Sequence, residues 1–335
     1  MKAPKFWYQP KGLCAALLSP LGWLYGRMGR FLRACKPQRR FTVPILSVGN
    51  LVVGGSGKTP TAISIATLLQ KKNLKICFVT RGYGGKLVGP VKVDLSHHTA
   101  QDVGDEALLL AQQAPTWVGK DRASAVQKAC ETRPDLIILD DGHQTSGVHK
   151  DLSFIVVDSL QGFGNGCVLP AGPLRESRDE GLKRADALVA IATGDRKQET
   201  GVRTSFLSPD TCLLTPVFQA HLVPTPLSLT RAVAFCGLGF PQKFFKTLAS
   251  MGIELASTLP FPDHHFYTEK DLRHLEALSR THEAPLITTR KDWVKLSPPW
   301  QQKVHVLDVA LCFDDPDEFY TFIIHKIPRL GSLHG

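Results

Sequence analysis

The sequence predicts an α/β protein: a mostly parallel sheet covered by helices, a second and smaller α/β unit after it, and an amphipathic helical segment in front. Three observations carry that expectation. Continuous apolar runs alternate with helix-length stretches, the pattern of strands buried on both faces. The chain has 335 residues, more than one domain usually holds. Its first forty residues differ in composition from everything that follows.

Residues 1–40 read as a membrane-interfacial helical segment. Phe6, Trp7, Tyr8, Leu13, Leu17, Leu18, Leu21, Trp23, Leu24, Tyr25, Phe31 and Leu32 are interleaved with nine lysines and arginines, and no acidic residue occurs among them. Pro10, Pro20, Gly22, Gly26 and Gly29 interrupt the run, so it lacks the about 20 largely apolar residues of a spanning helix. A helix or pair of helices lying in the interface fits better, with rings in the acyl boundary and cations on anionic head groups. The alternative is a helix packed on the protein's own core.

Residues 41–225 read as the larger α/β domain. Strands are expected over 43–48, 75–80, 135–139, 154–158 and 187–191, and helices over 59–71, 105–113 and 123–132, with a glycine turn at 81–85. The stretch 194–204 reads as a loop. Residues 226–335 read as the smaller unit, with a strand over 232–237, a glycine turn at 237–239, a helix over 242–251 and a strand over 285–289.

Forty lysines and arginines against thirty acidic residues give a formal net charge of +10, which suits anionic partners. A phosphorylated substrate and an acidic membrane surface both fit. Nucleic acid is not expected, because no recognised module is present and the charge is concentrated beside apolar aromatics. The eight cysteines form no CxxC pair, which argues against zinc, and with no secretory signal pattern they read as free thiols in a reducing cytosol.

Between the first expected strand and helix stands Val53-Gly54-Gly55-Ser56-Gly57-Lys58-Thr59. In that context it reads as a P-loop. Backbone N–H groups of Gly54, Gly55, Ser56 and Gly57 converge on phosphate oxygens, Lys58 reaches the β- and γ-phosphates of ATP, and Thr59 takes Mg²⁺. Val52 occupies the position where the pattern begins with glycine. The apolar run 136–139 ends in Asp140 and Asp141, carboxylates placed to hold Mg²⁺ beside a P-loop; a turn or helix cap is the plainer reading of the same residues. Alone, Asp105 reads as a helix cap, Arg175 as a surface ion pair and His264 as a hydrogen-bonded loop histidine.

Taken in order, several motifs form a set: Val48-Gly49-Asn50 with the P-loop and Pro60, Arg81-Gly82-Tyr83-Gly84, Gly104-Asp105-Glu106, Asp140-Asp141-Gly142, Leu169-Pro170-Ala171-Gly172-Pro173-Leu174-Arg175-Glu176, and Phe261-Pro262-Asp263-His264-His265. The set resembles the tetraacyldisaccharide 4′-kinases of lipid A synthesis in Gram-negative bacteria, from Ala3 through Asp292. That resemblance implies transfer of the ATP γ-phosphate to the 4′-hydroxyl of an acylated disaccharide 1-phosphate. It implies a peripheral or monotopic enzyme at the cytoplasmic face of the inner membrane, with no protein partner required. It also implies Asp105 as base supported by His264, Arg175 neutralising charge on the transferred group, and Glu106 or the Asp140/Asp141 pair completing the Mg²⁺ site.

The family follows Asp-Asp-Gly with an apolar or aromatic residue and then Gln-His, whereas this chain has His143-Gln144-Thr145, so neither His143 nor Thr145 is given a role. A second functional class stays open: a P-loop nucleotide switch or metallochaperone-like GTPase acting through a protein partner. For it, Thr289-Arg290-Lys291-Asp292 only approximates a guanine-reading motif.

Overall fold

The computed structural model describes residues 4–192 and 215–332, so the loop expected over 194–204 lies outside the described residues. After a single 3₁₀ turn at Lys5–Tyr8, the N-terminal segment is one continuous helix, α1 (Leu13–Ala34), despite Pro20 inside it. Pro20 removes one intrahelical hydrogen bond. The seating of the helix compensates: Ala15 and Gly22 are its buried residues, and a Cβ at Gly22 would lie 2.7 Å from the Val168 carbonyl oxygen. Small residues therefore let α1 lie directly on the 167–169 backbone.

The large sheet takes β1 (Ile45–Gly49), β2 (Ile76–Thr80), β3 (Val91–Lys92), β4 (Thr116–Val118), β5 (Leu136–Asp140), β6 (Leu152–Asp158), β7 (Ala187–Ala192) and β8 (Val217–Pro224). The small sheet takes β9 (Arg231–Cys236), β10 (Glu254–Pro260), β11 (Leu286–Thr289) and β12 (Val304–Leu307), and β13 (Val309–Phe313) follows. Between the strands of the first unit run α2 (Lys58–Gln70), the single turn α3 (Ala100–Val103), α4 (Asp105–Gln113), α5 (Arg122–Glu131) and α6 (Arg178–Leu182).

The order in the large sheet is β13-β8-β7-β6-β1-β5-β2-β4-β3, parallel except at its two edges, where β13 and β3 run antiparallel to their neighbours. Alternation along the strands builds a core on each face. Leu46 and Val48 of β1 meet Ala62, Ile65 and Leu69 of α2, whereas Ile45 meets Ala125, Val126 and Ala129 of α5. The small sheet, β10-β9-β11-β12, is parallel throughout. It is covered by α7 (Pro241–Ser250) and α8 (Glu269–Thr281), and β11 leads straight into the short α9 (Arg290–Trp293).

One expectation is corrected here. The sequence pattern places residues 226–335 wholly in the smaller unit, but the chain leaves it after Leu307. β13 pairs with β8, and α10 (Pro316–Lys326) sets Phe319 and Ile323, each 0% exposed, into the core of the large sheet. Each such burial contributes roughly 1.5–3 kcal/mol, enough to hold the tail there. The smaller unit is thus an insertion between β8 and β13, joined to the larger one by two strands side by side.

Candidate active site between the two sheets

β1 runs out at Gly49 into the loop 50–57, and α2 begins at once. Gly57 is the N-cap with φ +85°, and a Cβ there would strike Ile191 Cδ1 at 2.4 Å, so only glycine meets both demands. No side chain caps α2, which leaves its first N–H groups and the positive end of its dipole to an anion. Lys58 stands in the first turn with Nζ 3.7 Å from Asp141 Oδ1. Ser56, buried beneath, accepts a 2.7 Å hydrogen bond from Asn50 Nδ2.

Asp140 closes β5, fully buried, and accepts from Thr59 Oγ1 at 3.1 Å through one oxygen while the other has no partner among the described residues. Burial and the charge of Glu106 push its carboxyl up to about 7, against the pull of Lys58. A carboxylate oxygen left open beside a threonine hydroxyl suits a hard divalent cation that takes few protein ligands and shares phosphate oxygens. Among the described residues no cluster of three or more His, Cys, Asp or Glu could cage a metal by itself. Asp141, at φ +52°, is engaged differently: Arg175 Nη1 donates to both of its oxygens at 3.0 Å.

Arg175 reaches Asp141 because its segment is stitched to the phosphate loop. Val52 and Leu174 form an antiparallel bridge, Val53 N–H donates to the Pro173 carbonyl at 2.9 Å, and Arg175 N–H donates to that of Leu51 at 2.8 Å. The next residue, Glu176, turns inward at 1% exposure. Arg184 Nη2 lies 2.6 Å from its carboxylate, Arg33 Nη2 from the last turn of α1 3.0 Å, and Gln144 Nε2 donates to it at 3.1 Å. Gln144 Nε2 also donates to the Asn50 carbonyl at 2.8 Å. A buried polar path thus joins the end of α1 to the phosphate loop.

The other half of the site comes from both units. The turn at 81–85 is tied to the entrance of α4 by the Lys86 and Leu87 N–H groups, which donate to the Gln101 and Asp102 carbonyls. Gly104, not Asp105, is the N-cap of α4. The Asp105 carboxylate, 3% exposed, accepts the Glu106 N–H at 2.9 Å and faces His264 Nδ1 at 3.0 and 3.1 Å. Burial would raise this carboxyl, but the His264 hydrogen bond and the Lys291 charge outweigh it and hold the group below the usual carboxylate range. His264 sits in the loop after β10 at φ +58°, with the Tyr83 ring edge-on at 5.1 Å. Glu106 follows on the same turn, half-buried, its charge felt by Asp140 and Lys291. The same cleft is bridged again by an ion pair between Lys243 of α7 and Asp158 at the end of β6.

The chain matches the family model of tetraacyldisaccharide-1-P 4′-kinase over residues 14–328. It belongs to that family. It is 42% identical over 327 residues to the tetraacyldisaccharide 4′-kinase of Gluconobacter oxydans, covering 94% of this chain and 95% of that one. With the Rhodospirillum rubrum protein of the same name the identity is 41% over 337 residues and 99% of each chain. Among solved structures it is similar to LpxK from Aquifex aeolicus, the "apo" form in complex with ATP. The TM-score is 0.72 at 27% identity, over 94% of this chain and 99% of that one.

A member of this kinase family has little room for the switch or metallochaperone reading, and the structure removes its last support. Asp292, the acidic end of the approximate guanine motif, is 0% exposed and accepts the Gly237 N–H at 3.0 Å, with Lys295 Nζ 2.6 Å away. His143 is enclosed as well, its Nε2 3.1 Å from the Gly181 carbonyl, and burial with the charges of Lys150 and Arg184 pushes its pKa down to about 3. It is a neutral packing group, and Thr145 only closes the turn, its N–H donating to the Gly142 carbonyl at 3.0 Å.

Sequence reasoning missed two cations. Arg122 is 8% exposed, donates weakly to the Asp140 carbonyl at 3.4 Å, and keeps Nε and Nη1 without partners among the described residues; burial lowers its pKa to about 10, so it stays charged at neutral pH. Its signal was an arginine at the first position of a helix, where the dipole disfavours a cation. The other is Lys291, whose Nζ lies 3.3 Å from both Asp263 Oδ1 and His264 Nε2.

Proposed function

We propose that this cleft transfers the γ-phosphate of ATP to the 4′-hydroxyl of a tetraacyldisaccharide 1-phosphate held at a membrane surface, with Asp105 as the base. One observation carries the reading. A buried carboxylate kept ionised by an imidazole faces the same cleft as an uncapped helix N-terminus, a P-loop lysine and an open Asp140 oxygen. Phosphoryl transfer needs positioning and charge neutralisation, plus a carboxylate to receive the hydroxyl proton, and the chain supplies each.

Lys58 and the first N–H groups of α2 bind the β- and γ-phosphates. Thr59 and Asp140 would hold Mg²⁺, with Glu106 and Asp141 close behind, and the ion when bound neutralises phosphate charge. Asp141 keeps Lys58 and Arg175 at the mouth of the loop. Arg122 offers its two unpartnered donors to charge that builds on the transferred group. Asp105 takes the proton of the attacking hydroxyl, and His264 orients that carboxylate.

The helix α1 accounts for how such a site meets a lipid. Leu13, Leu17, Leu21, Leu24, Met28 and Phe31 recur at intervals of three and four, one face of a helix, and all are 54–83% exposed. No helix among the described residues is long and apolar enough to cross a membrane. We read α1 as lying in the head-group region of the inner membrane's cytoplasmic face, with Trp23 and Arg27, stacked at 4.8 Å, at the boundary. The acyl chains then stay in the bilayer while the sugar enters the cleft.

The test is direct. Purified protein with labelled ATP, Mg²⁺ and a 1-phosphorylated tetraacyl disaccharide in mixed micelles should give a bisphosphorylated lipid. ATP hydrolysis without a labelled lipid would overturn the assignment.

A further inference from the structure

A neutral imidazole carries one ring proton, and either nitrogen can hold it. In this cleft both nitrogens of His264 have charged neighbours of opposite sign. Nδ1 lies 3.0 and 3.1 Å from the oxygens of Asp105, and Nε2 lies 3.3 Å from Lys291 Nζ. A carboxylate offers only lone pairs, so Nδ1 must bring the proton; an ammonium offers only donors, so Nε2 must present its lone pair. We propose that Lys291 is a positioning residue for phosphoryl transfer: it fixes His264 as the neutral Nδ1–H tautomer, so that the ring donates to Asp105 and leaves the carboxylate's other lone pairs for the acceptor hydroxyl. The proposal rests on the reading of Asp105 as the base.

The surroundings hold Lys291 to this task. It lies in α9, whose start is clamped: Thr289 Oγ1 accepts the Asp292 N–H at 3.2 Å, and buried Asp292 grips Gly237 N–H and Lys295. One turn further, Val294 packs with Val103, Ala107 and Leu108, so the apolar contact between the two units fixes how far α9 stands from α4. Asp263 Oδ1, 3.3 Å from Nζ, steers the ammonium. Burial alone would lower the lysine's pKa, but Asp105, Glu106 and Asp263 raise it, so the side chain stays charged. The Tyr83 ring stands edge-on to the imidazole, with centroids 5.1 Å apart. Asp263 lies 3.9 Å from Nε2, beyond hydrogen-bond reach.

The tautomer is measurable without any reaction. Protein labelled with ¹⁵N-histidine, its His264 signals assigned by their loss in His264→Gln, should show in a long-range ¹H–¹⁵N spectrum the Nδ1–H pattern, the rarer form of free imidazole. Lys291→Met keeps the stem and removes the ammonium. It should let a proton appear on Nε2 while Asp105 keeps the one on Nδ1, giving a doubly protonated ring, and should lower kcat on the lipid roughly 10- to 100-fold, part of what a positioned base contributes. The KM for ATP and the melting temperature should hold near wild type. Lys291→Arg should restore the tautomer and most of kcat. An Nε2–H or doubly protonated ring in the wild type would overturn the proposal, and so would Lys291→Met with unchanged ring protonation and kcat. Asp105→Asn separates the two claims: undiminished kcat there would remove the base assignment, while the wild-type spectrum still judges the tautomer.

Discussion

The two halves of the cleft are built in opposite ways. The phosphate half is local: the loop 50–57, the first turn of α2 and the end of the adjacent strand β5 all belong to one sheet. The base half is made across the junction of two units, by Asp105 and His264, which stand 159 positions apart in the chain. The first is rigid by construction, whereas the second exists only while the two units are seated on each other through α9, Val294 and the Lys243–Asp158 pair. Loss of a residue in the first half should therefore act alone, and loss in the second should act through its partner.

The largest effect tests the first half. Lys58→Ala removes the cation proposed to meet the β- and γ-phosphates and should reduce phosphotransfer by about three orders of magnitude, within the range that charge stabilisation supplies. The melting temperature should stay within a few degrees of wild type, because Lys58 faces the cleft and its ion pair with Asp141 is long, 3.7 Å. Near-normal turnover would break the comparison at its firmer end.

In the second half, Asp105→Asn and His264→Ala should each lower kcat by roughly 10²- to 10³-fold, with the KM for ATP little changed. The double variant should be hardly worse than the poorer single one. Additive losses in activation free energy would mean that the two side chains do not work as a unit.

This difference also decided what could be read from the chain. Apolar strand runs such as 135–139 and the glycine-lysine-threonine junction are local patterns with local causes, and they became β5 and the start of α2. Asp105 and His264 had meaning only through the ordered set of family motifs, since either alone looks like a cap or a loop residue. Lys291 stands only in an approximate guanine motif, and Arg122 is marked only by its unusual place at a helix start; their roles arise from which groups the packing leaves facing them. β13 illustrates the same limit. Its apolar run, Val309–Phe313, suits a strand, with Leu311 and Phe313 buried, but nothing in it says that its partner is β8 in the other sheet.

A smaller effect concerns how α1 is used. Leu17→Gln with Leu21→Gln changes two side chains that touch solvent and should leave turnover on a detergent-dispersed substrate nearly intact. Binding to anionic vesicles should weaken about tenfold or more, given roughly 1.5–3 kcal/mol for each leucine buried from water. Raised salt should release only part of the protein, because screening acts on the cations and leaves the apolar contact. Unchanged vesicle binding would reassign that face of α1.

The smallest effect sets the two halves against each other through one residue type. Asp140 and Asp105 are both buried aspartates, yet their carboxyl groups are displaced in opposite directions: burial and Glu106 raise Asp140 to about 7, while the partners of Asp105 overcome its burial and lower it. An unfolded aspartate titrates near 3.9. Below that pH, Asp140 is protonated in both states and contributes nothing. Between about 4 and 7 the unfolded chain has released this proton and the folded one has not, so stability falls as pH rises, and the full penalty remains above 7. Asp105 behaves with the reverse sign: its contribution is present above the unfolded pKa and is lost as pH falls through the lowered folded value. In metal-free protein at pH 8, Asp140→Asn should therefore raise the melting temperature, by roughly 2–4 °C for each ~1 kcal/mol relieved. The gain should vanish near pH 4, and Mg²⁺ with ATP should stabilise the wild type more than the variant. Asp105→Asn should lower the melting temperature at pH 8. If both variants move the same way, the open oxygen of Asp140 is not a prepared cation site, and the contrast between a half that waits for a ligand and a half that is already paired does not hold.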